Sequence, residues 1–245
     1  MNILAIDTSG PVASCGVMAG DRVTCLIAMN QGLTHSETIM PAVDRALRSS
    51  GLSCGDIDLF AAVAGPGSFT GVRIGVCAVK GLAHAAGKPV ARIHALEALA
   101  MNFYGSDALC CPILDARRGQ VYCAAYDVKD GLPAEVLAPD ALQLDDFIDR
   151  LPANRRLVFV GDGVPAYGES IRQRLAGRAL LAPEHLRNLR ADAACALAAA
   201  RPDQWMEARA LKPIYLRAPQ AERERKAGRD HTKPLRRQRE EESKR

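Results

Sequence analysis

The 245-residue sequence contains no apolar run of the ~20 residues that a membrane-spanning helix needs. Its start, Met1–Ile6, meets Asp7 without a basic stretch, which is unlike a signal peptide. The eight cysteines include no C-x-x-C pair and most have apolar neighbours, so we interpret them as small buried hydrophobic residues. We therefore expect a cytoplasmic protein without membrane contact and without a cysteine-held metal.

Most of the chain also lacks an excess of charge of either sign. Residues 222–245 hold ten Lys/Arg and six Asp/Glu, which accounts for the whole net charge of +4. The charged tail, 221–245, is polar and is expected to be a disordered extension. The alternative is that the tail binds RNA phosphates weakly. The mixed charge signs and the tail's lack of aromatic residues argue against a dedicated RNA-binding module.

What is present is an alternation of apolar runs and turn signals that predicts an α/β fold. The predicted strands are Asn2–Asp7, Ala13–Ala19, Val23–Met29, Leu59–Ala64, Val90–Ile93, Ala108–Leu114, Val121–Asp127 and Leu157–Gly161. The first predicted helix begins at Thr34. The other predicted helices cover Phe69–Ala86, Ala95–Phe103, Leu144–Arg150, Val164–Leu175 and Ala191–Ala200. In both halves an acid, Asp7 or Asp115, precedes a turn and a further strand. This repeat predicts two related domains, 1–105 and 106–220, facing a cleft.

The segment from Gly65 to Gly75 is the most informative in the chain. A strand, a turn with three glycines and a helix form the layout that lets backbone N–H groups face an anion. No lysine follows the last turn glycine, so the segment is not a Walker A loop. Ser68 and Thr70 would either cap the helix or touch a phosphate.

The helix predicted at Phe69–Ala86 is apolar around most of its circumference, which indicates burial on more than one side. One side would meet its own sheet and the other a partner helix, with Gly71 and Gly75 leaving a bare strip for close approach. The helix from Thr34, with a predicted Thr34–Glu37 capping box, would add a second stripe. Replacement of Val76 or Val79 by arginine would distinguish two roles of this helix. Loss of partner binding by a folded monomer would indicate an interface, and unfolding of the monomer would indicate an internal core.

Catalytic groups are hard to find in the sequence. Asp7 and Asp115 would either hold a metal–phosphate complex between the domains or cap their own turns. His35 and His94 are isolated histidines, so neither is expected to bind a metal. Ser68 lacks the G-x-S-x-G elbow of a hydrolase. We expect no catalytic residue, and an ATP-dependent kinase or a peptidase remains an alternative.

The chain resembles the TsaB family, the bacterial dimerization subunits in synthesis of threonylcarbamoyladenosine in tRNA. The similarity lies in Ile3–Ser9, His35-Ser36-Glu37 with Pro41, Gly65–Gly75, Lys80–Ala83, Ala95–Ala100, Asp115–Tyr122 and Pro213–Arg217. It covers residues 2–217. Gly10 and the tail depart from the family pattern.

The resemblance implies an actin/sugar-kinase-like, ribonuclease H-like fold with a reduced second domain. It also implies a non-catalytic assembly subunit that binds a TsaD-type catalytic subunit, is joined by a TsaE-type ATPase and pairs with itself when alone. TsaD-like chains hold a metal with two histidines of H-L-E-G-H, where this chain has Ala95 and Leu99. Contact with tRNA would be indirect.

Two sets of site residues follow from the resemblance and the patterns above. The predicted partner set is His35, Ile39, Val43, Val72, Arg73, Val76, Val79, Lys80 and Ala83. The predicted phosphate set is Asp7, Thr8, Ser9, Gly67, Ser68, Asp115 and Arg117. No cofactor is expected to be required, and nucleotide binding, if it occurs in the cleft, is expected to be weak.

Overall fold

A computed structural model describes residues 1–217, so the predicted tail, 221–245, lies outside the described residues. The first part of the chain contains β1 (Asn2–Asp7), β2 (Ala13–Ala19), β3 (Arg22–Met29), α1 (His35–Ser49), β4 (Leu59–Val63), α2 (Phe69–Ala86), β5 (Val90–Ile93) and α3 (Ala95–Ala100). The second part contains β6 (Leu109–Asp115), β7 (Gln120–Asp127), β8 (Ala134–Gln143), α4 (Leu144–Arg150), β9 (Leu157–Val160), α5 (Val164–Leu175), β10 (Ala179–Leu181), α6 (Glu184–Arg187) and α7 (Ala191–Ala200).

The ten strands form two five-stranded sheets with the same plan. The first has the order β3-β2-β1-β4-β5 and the second the order β10-β9-β6-β7-β8. In each sheet three antiparallel strands form a meander, and two further strands run parallel to its first strand. The repeat inferred from Asp7 and Asp115 is therefore a repeat of topology, because β1 and β6 occupy equivalent central positions.

The helices fill three layers around the two sheets. The first layer, α1 and α2, packs on one face of the first sheet, and the third, α4 and α5, packs on the outer face of the second. Between the sheets, α7 packs on the first, α3 packs on the second, and the two helices contact each other. The Glu97 carboxylate accepts two hydrogen bonds from the guanidinium of Arg201, which ties α3 to the end of α7.

The path of the chain after residue 190 differs from the predicted 106–220 unit. In the described structure α7 covers β1 and β2 of the first sheet, and Leu211 is buried in the core beneath α1 and α2. Backbone hydrogen bonds join Met206 to Val90 in β5. The segment that follows α6 therefore completes the first sheet, although it comes last in the described chain.

Two local expectations were also wrong. Thr34 does not cap α1 through its hydroxyl. The hydroxyl instead donates to Glu37 Oε2 at 2.6 Å, because hydrogen bonds to an ionised carboxylate are stronger than those between neutral groups. The third helix ends at Ala100 and passes into a 3₁₀ turn over Met101–Phe103. The sequence reasoning missed β8, β10 and α6 altogether.

Candidate functional site

The glycine turn packs on the end of β1 instead of surrounding an empty anion site. A Cβ at Gly67 would overlap the carbonyl oxygen of Ser9, and one at Gly71 would overlap that of Thr8. The Ser68 N–H donates to the Ser9 carbonyl at 2.7 Å, and the Thr8 hydroxyl donates to the Gly71 carbonyl at 2.7 Å. These glycines permit the close approach of two backbone segments, so Gly67 packs against Ser9 and Thr8 packs against Gly71.

Gly75 serves the same packing as Gly71. A Cβ there would lie 2.5 Å from the Thr8 hydroxyl oxygen, and both glycines are buried. The close approach predicted at these two glycines is therefore present, but the neighbour is the end of β1 in the same chain and not a partner helix. Ser68 performs the capping role, since its Oγ accepts from the Gly71 N–H at 3.3 Å.

The two strand-tip acids each stabilise their own turn. Asp7 is buried, and its Oδ1 accepts from the Ser9 N–H at 2.8 Å and from the Ser9 hydroxyl at 2.7 Å. Asp115 Oδ1 accepts from the Arg117 N–H at 2.8 Å. Desolvation raises the pKa of Asp7 to about 6, even though the Ser9 hydrogen bonds act in the opposite direction.

Asp7 and Asp162 line one narrow crevice between the two halves of the chain. Asp162 follows β9 by two residues, its Oδ1 accepts from the Asp115 N–H at 2.9 Å, and burial raises its pKa. Asp115 does not line this crevice. Sequence reasoning missed Asp162, although its place just after an apolar strand resembles that of Asp7 after β1.

The crevice is nearly closed. Its volume is about 20 Å³, which is room for one water, whereas small-molecule pockets occupy roughly 300–1,000 Å³. The segment after α6, Asn188 and Leu189, forms part of the lining. Asn102 holds that segment, because its amide donates to the carbonyls of Leu186 at 2.9 Å and Asn188 at 3.0 Å.

Six members of the predicted partner set lie in the protein's own core. They are Ile39, Val43, Val72, Val76, Val79 and Ala83, each at most 3% exposed. Their side chains pack against β1, β2 and β4, because the side of α1 and α2 that faces the sheet collects the apolar residues. The prediction that these six side chains meet a partner was wrong.

The other three members of the set are accessible but already have contacts within the chain. The ring of His35 lies with Nε2 2.8 Å from the Gly10 carbonyl, Lys80 Nζ donates to the Arg209 carbonyl at 3.2 Å, and the Arg73 guanidinium lies over the Phe69 ring.

The solvent face of α2 consists mostly of small and apolar residues together with Arg73, and we call it the outer α2 face. Its members are Thr70, Arg73, Ile74, Cys77, Ala78, Gly81 and Leu82, all exposed or half-buried. Gly81 lies in the middle of the helix with no atom near its missing Cβ. On the neighbouring helix α1, Met40 is 44% exposed. Glycine in an exposed helix interior costs roughly 1 kcal/mol relative to alanine, and nothing in the described chain accounts for that cost.

Among residues 1–217, no group of His, Cys, Asp and Glu side chains has the arrangement of a metal site. Within the same residues, no helix combines the length and the apolar character needed to cross a bilayer. Ala95 and Leu99, at the positions of the two TsaD-like histidines, are buried in the core between the sheets.

Comparison with known proteins identifies the family. The family model described as TsaD, tRNA N6-adenosine threonylcarbamoyltransferase, matches residues 31–223. The tRNA threonylcarbamoyladenosine biosynthesis protein TsaB of Bacillus subtilis is 33% identical over 91% of this chain and 96% of its own length. The chain belongs to the TsaB family of TsaD-like proteins.

Further TsaB relatives and solved structures agree. The TsaB protein of Haemophilus influenzae is 29% identical over 89% of this chain and 94% of its own length. A Pseudomonas aeruginosa structure with similarity to peptidase YeaZ superposes with a TM-score of 0.77 at 28% identity, covering 88% of this chain and 99% of that one. YeaZ from the same organism superposes with a TM-score of 0.75. The predicted α/β fold with two related halves is confirmed, and it is the fold of these YeaZ structures.

Proposed function

We propose that this TsaB-family chain is a non-catalytic assembly subunit. It binds and activates a TsaD-type threonylcarbamoyltransferase that forms threonylcarbamoyladenosine next to the tRNA anticodon. The observation that carries the proposal is the outer α2 face, an accessible helix surface on which most residues are small or apolar and which includes Gly81. A neighbouring helix can approach such a surface closely, and this close approach would explain why a glycine occupies position 81.

The described residues offer no set of catalytic side chains, which supports a subunit that acts through its partner. Alanine and leucine at positions 95 and 99 offer no metal ligand, and the Ser68 hydroxyl caps a helix. The YeaZ-like relative carries the word peptidase in its name, but no described serine or cysteine of this chain has a histidine base in hydrogen-bond contact. The kinase alternative needs a cleft that admits ATP, and the crevice beside Asp7 holds about 20 Å³.

The remaining assignments extend the same proposal. No cofactor is required, and nucleotide binding in the crevice would be weak, because the crevice must open first. A TsaE-type ATPase joins the pair, and two copies of the chain pair through the outer α2 face when the catalytic subunit is absent. The complex works in the cytoplasm, where its tRNA substrate is.

A reconstitution experiment tests the proposal. The purified chain should transfer no threonylcarbamoyl group to tRNA by itself, and it should restore transfer when mixed with a TsaD-type subunit and the ATPase. Cys77→Arg, on the outer α2 face, should abolish association with the catalytic subunit and reduce transfer at least ~100-fold, because it places a charge in a packed interface.

The matched control is Ser170→Arg, an equally exposed helix position on α5. It should leave association, transfer and the thermal midpoint unchanged. Transfer by the chain alone, or full association by Cys77→Arg, would refute the assembly role.

A further inference from the structure

Three segments that are distant in sequence meet at the amino-terminal end of α2. The Arg73 guanidinium lies 3.8 Å from the centre of the Phe69 ring, and its Nε donates to the Tyr215 hydroxyl at 2.9 Å. The Phe69 and Tyr215 rings have centroids 5.4 Å apart. Two residues further on, Arg217 donates to the Ala116 carbonyl at 3.3 Å, which joins this cluster to the turn between β6 and β7.

That turn adds two more arginines, both exposed. Arg117 and Arg118 have φ values of 66° and 58°, and Gly119 follows with a φ of 76°. Positive φ is uncommon for a residue other than glycine, and here the Asp115 carboxylate holds the turn by accepting from the Arg117 N–H. We call the six residues Phe69, Arg73, Arg117, Arg118, Tyr215 and Arg217 the arginine–aromatic surface.

The charge of this surface is positive despite acidic neighbours. Arg117 interacts with the half-buried carboxylates of Asp115 and Asp162, while the arginines come from three different segments. Residues 1–221 are electrically balanced as a whole, so the arginines that meet here form a local excess of positive charge.

The exposed aromatic rings distinguish an RNA strand from an acidic protein as the occupant. Phe69 is 39% and Tyr215 41% exposed, although aromatic side chains are usually more buried than this. Exposed rings flanked by arginine fit unpaired bases that stack while the backbone phosphates meet guanidinium groups. An acidic protein surface would use the arginines but would leave the rings without a role.

We infer that the arginine–aromatic surface binds a single-stranded or loop region of the tRNA substrate directly. This inference rests on the proposed function for the identity of the RNA, and it replaces the indirect tRNA contact expected from the family resemblance. Arg117 would contact a phosphate, and Tyr215 would provide the stacking platform. The two surfaces share Arg73, but the part of the outer α2 face around Gly81 remains available for the protein partner, because Gly81 lies about three helical turns from Phe69.

The test uses the full chain, alone and bound to its TsaD-type subunit, with a fluorescently labelled unmodified tRNA transcript. Anisotropy titrations from about 50 to 200 mM salt give the affinity and the slope of log K against log salt. Arg117→Gln should lower that slope by about 1, because one phosphate contact is lost. Arg22→Gln is the matched control, since Arg22 is exposed at the end of the first sheet opposite to Thr8 and Ser9.

A second pair of variants tests stacking independently of charge. Tyr215→Ala should weaken tRNA binding by about tenfold, whereas Tyr215→Phe should stay within about threefold of the parent because the ring is kept. Equal slopes and affinities for the parent, Arg117→Gln and Arg22→Gln would overturn the inference. So would an Arg117→Gln variant that loses the ATPase subunit but keeps its tRNA affinity, since the surface would then bind protein.

The same preparations separate this inference from the proposed function. Size-exclusion chromatography reports whether the parent chain associates with the TsaD-type subunit. If association fails while Arg117→Gln still changes the salt slope of the isolated chain, the assembly role is wrong and the RNA surface stands. If association holds and the slope does not change, only the RNA surface is wrong.

Discussion

At the scale of single residues, Asp7 is the most unusual group in the described chain. Its carboxyl is buried beside Asp162 and satisfied by the Ser9 N–H and hydroxyl, both on the same oxygen. Burial of the charged form costs more than these two hydrogen bonds recover, so the pKa rises from 3.8 to about 6. Asp7 therefore stabilises its turn through hydrogen bonds, while its buried ionised carboxylate lowers the stability of the folded protein at neutral pH.

The raised pKa predicts the pH dependence of stability. Between the unfolded pKa of 3.8 and the folded pKa of about 6, the folded state binds more protons, so the free energy of unfolding falls as pH rises and levels off above the folded value. Asp7→Asn keeps an acceptor for Ser9 and removes this term, worth about 3 kcal/mol. We expect the variant to be the more stable protein at pH 7 and its advantage to disappear near pH 4.

Urea unfolding at several pH values measures this difference. The comparison with the parent is needed because His94, whose pKa is lowered to about 4 by burial and by Arg92, gives the opposite slope in both proteins. An Asp7→Asn advantage that is the same at pH 4 and pH 7 would contradict the expected titration.

At the scale of elements, α2 has two faces with different roles. The face made by Val72, Val76 and Val79 is part of the core beneath the first sheet, whereas Cys77 and Gly81 face solvent. An apolar helix therefore meets its own sheet on one side and offers the outer α2 face on the other. Ser68 caps its start, and Gly87, with a φ of 64°, ends it.

The two faces predict opposite results for the same substitution. Val79→Arg should prevent folding, because an unpaired buried charge costs several kcal/mol in a domain whose total stability is about 5–15 kcal/mol. Cys77→Arg should keep the parent's circular dichroism and thermal midpoint. A folded, monomeric Val79→Arg protein would mean that Val79 faces a partner after all.

Much of the α/β pattern could be predicted from the sequence, but the side of α2 that faces the sheet could not. Its bounds follow from Ser68 and Gly87, while an apolar circumference does not reveal which side meets the sheet. The edge strand β8, Ala134–Gln143, was missed because its side chains are mostly exposed and it contains Pro139. Asp162 reaches the crevice only through the tertiary fold.

At the scale of the whole molecule, the two sheets enclose α3 and α7 and leave a crevice too small for a nucleotide. For ATP to enter the crevice, the segment around Asn188 would have to move, and Asn102 holds this segment by two hydrogen bonds. The apparent affinity falls in proportion to the fraction of open molecules.

Nucleotide titration tests this arrangement. We expect labelled ATP with Mg²⁺ to bind the isolated chain only weakly, with no saturation at about 0.1 mM, in the middle of the usual range of enzyme substrate affinities. Asn102→Ala should tighten binding if the segment is what closes the crevice. Tight, Mg²⁺-dependent binding by the parent would favour the kinase alternative.

The return of α7 to the first sheet has a consequence for biosynthesis. Strands β1 and β2 are made first, yet the apolar face that α7 covers stays bare until Ala191–Ala200 has left the ribosome. On a nascent chain this face of β1 and β2 can therefore receive its native cover only late in translation, long after α1 and α2 have covered the opposite face.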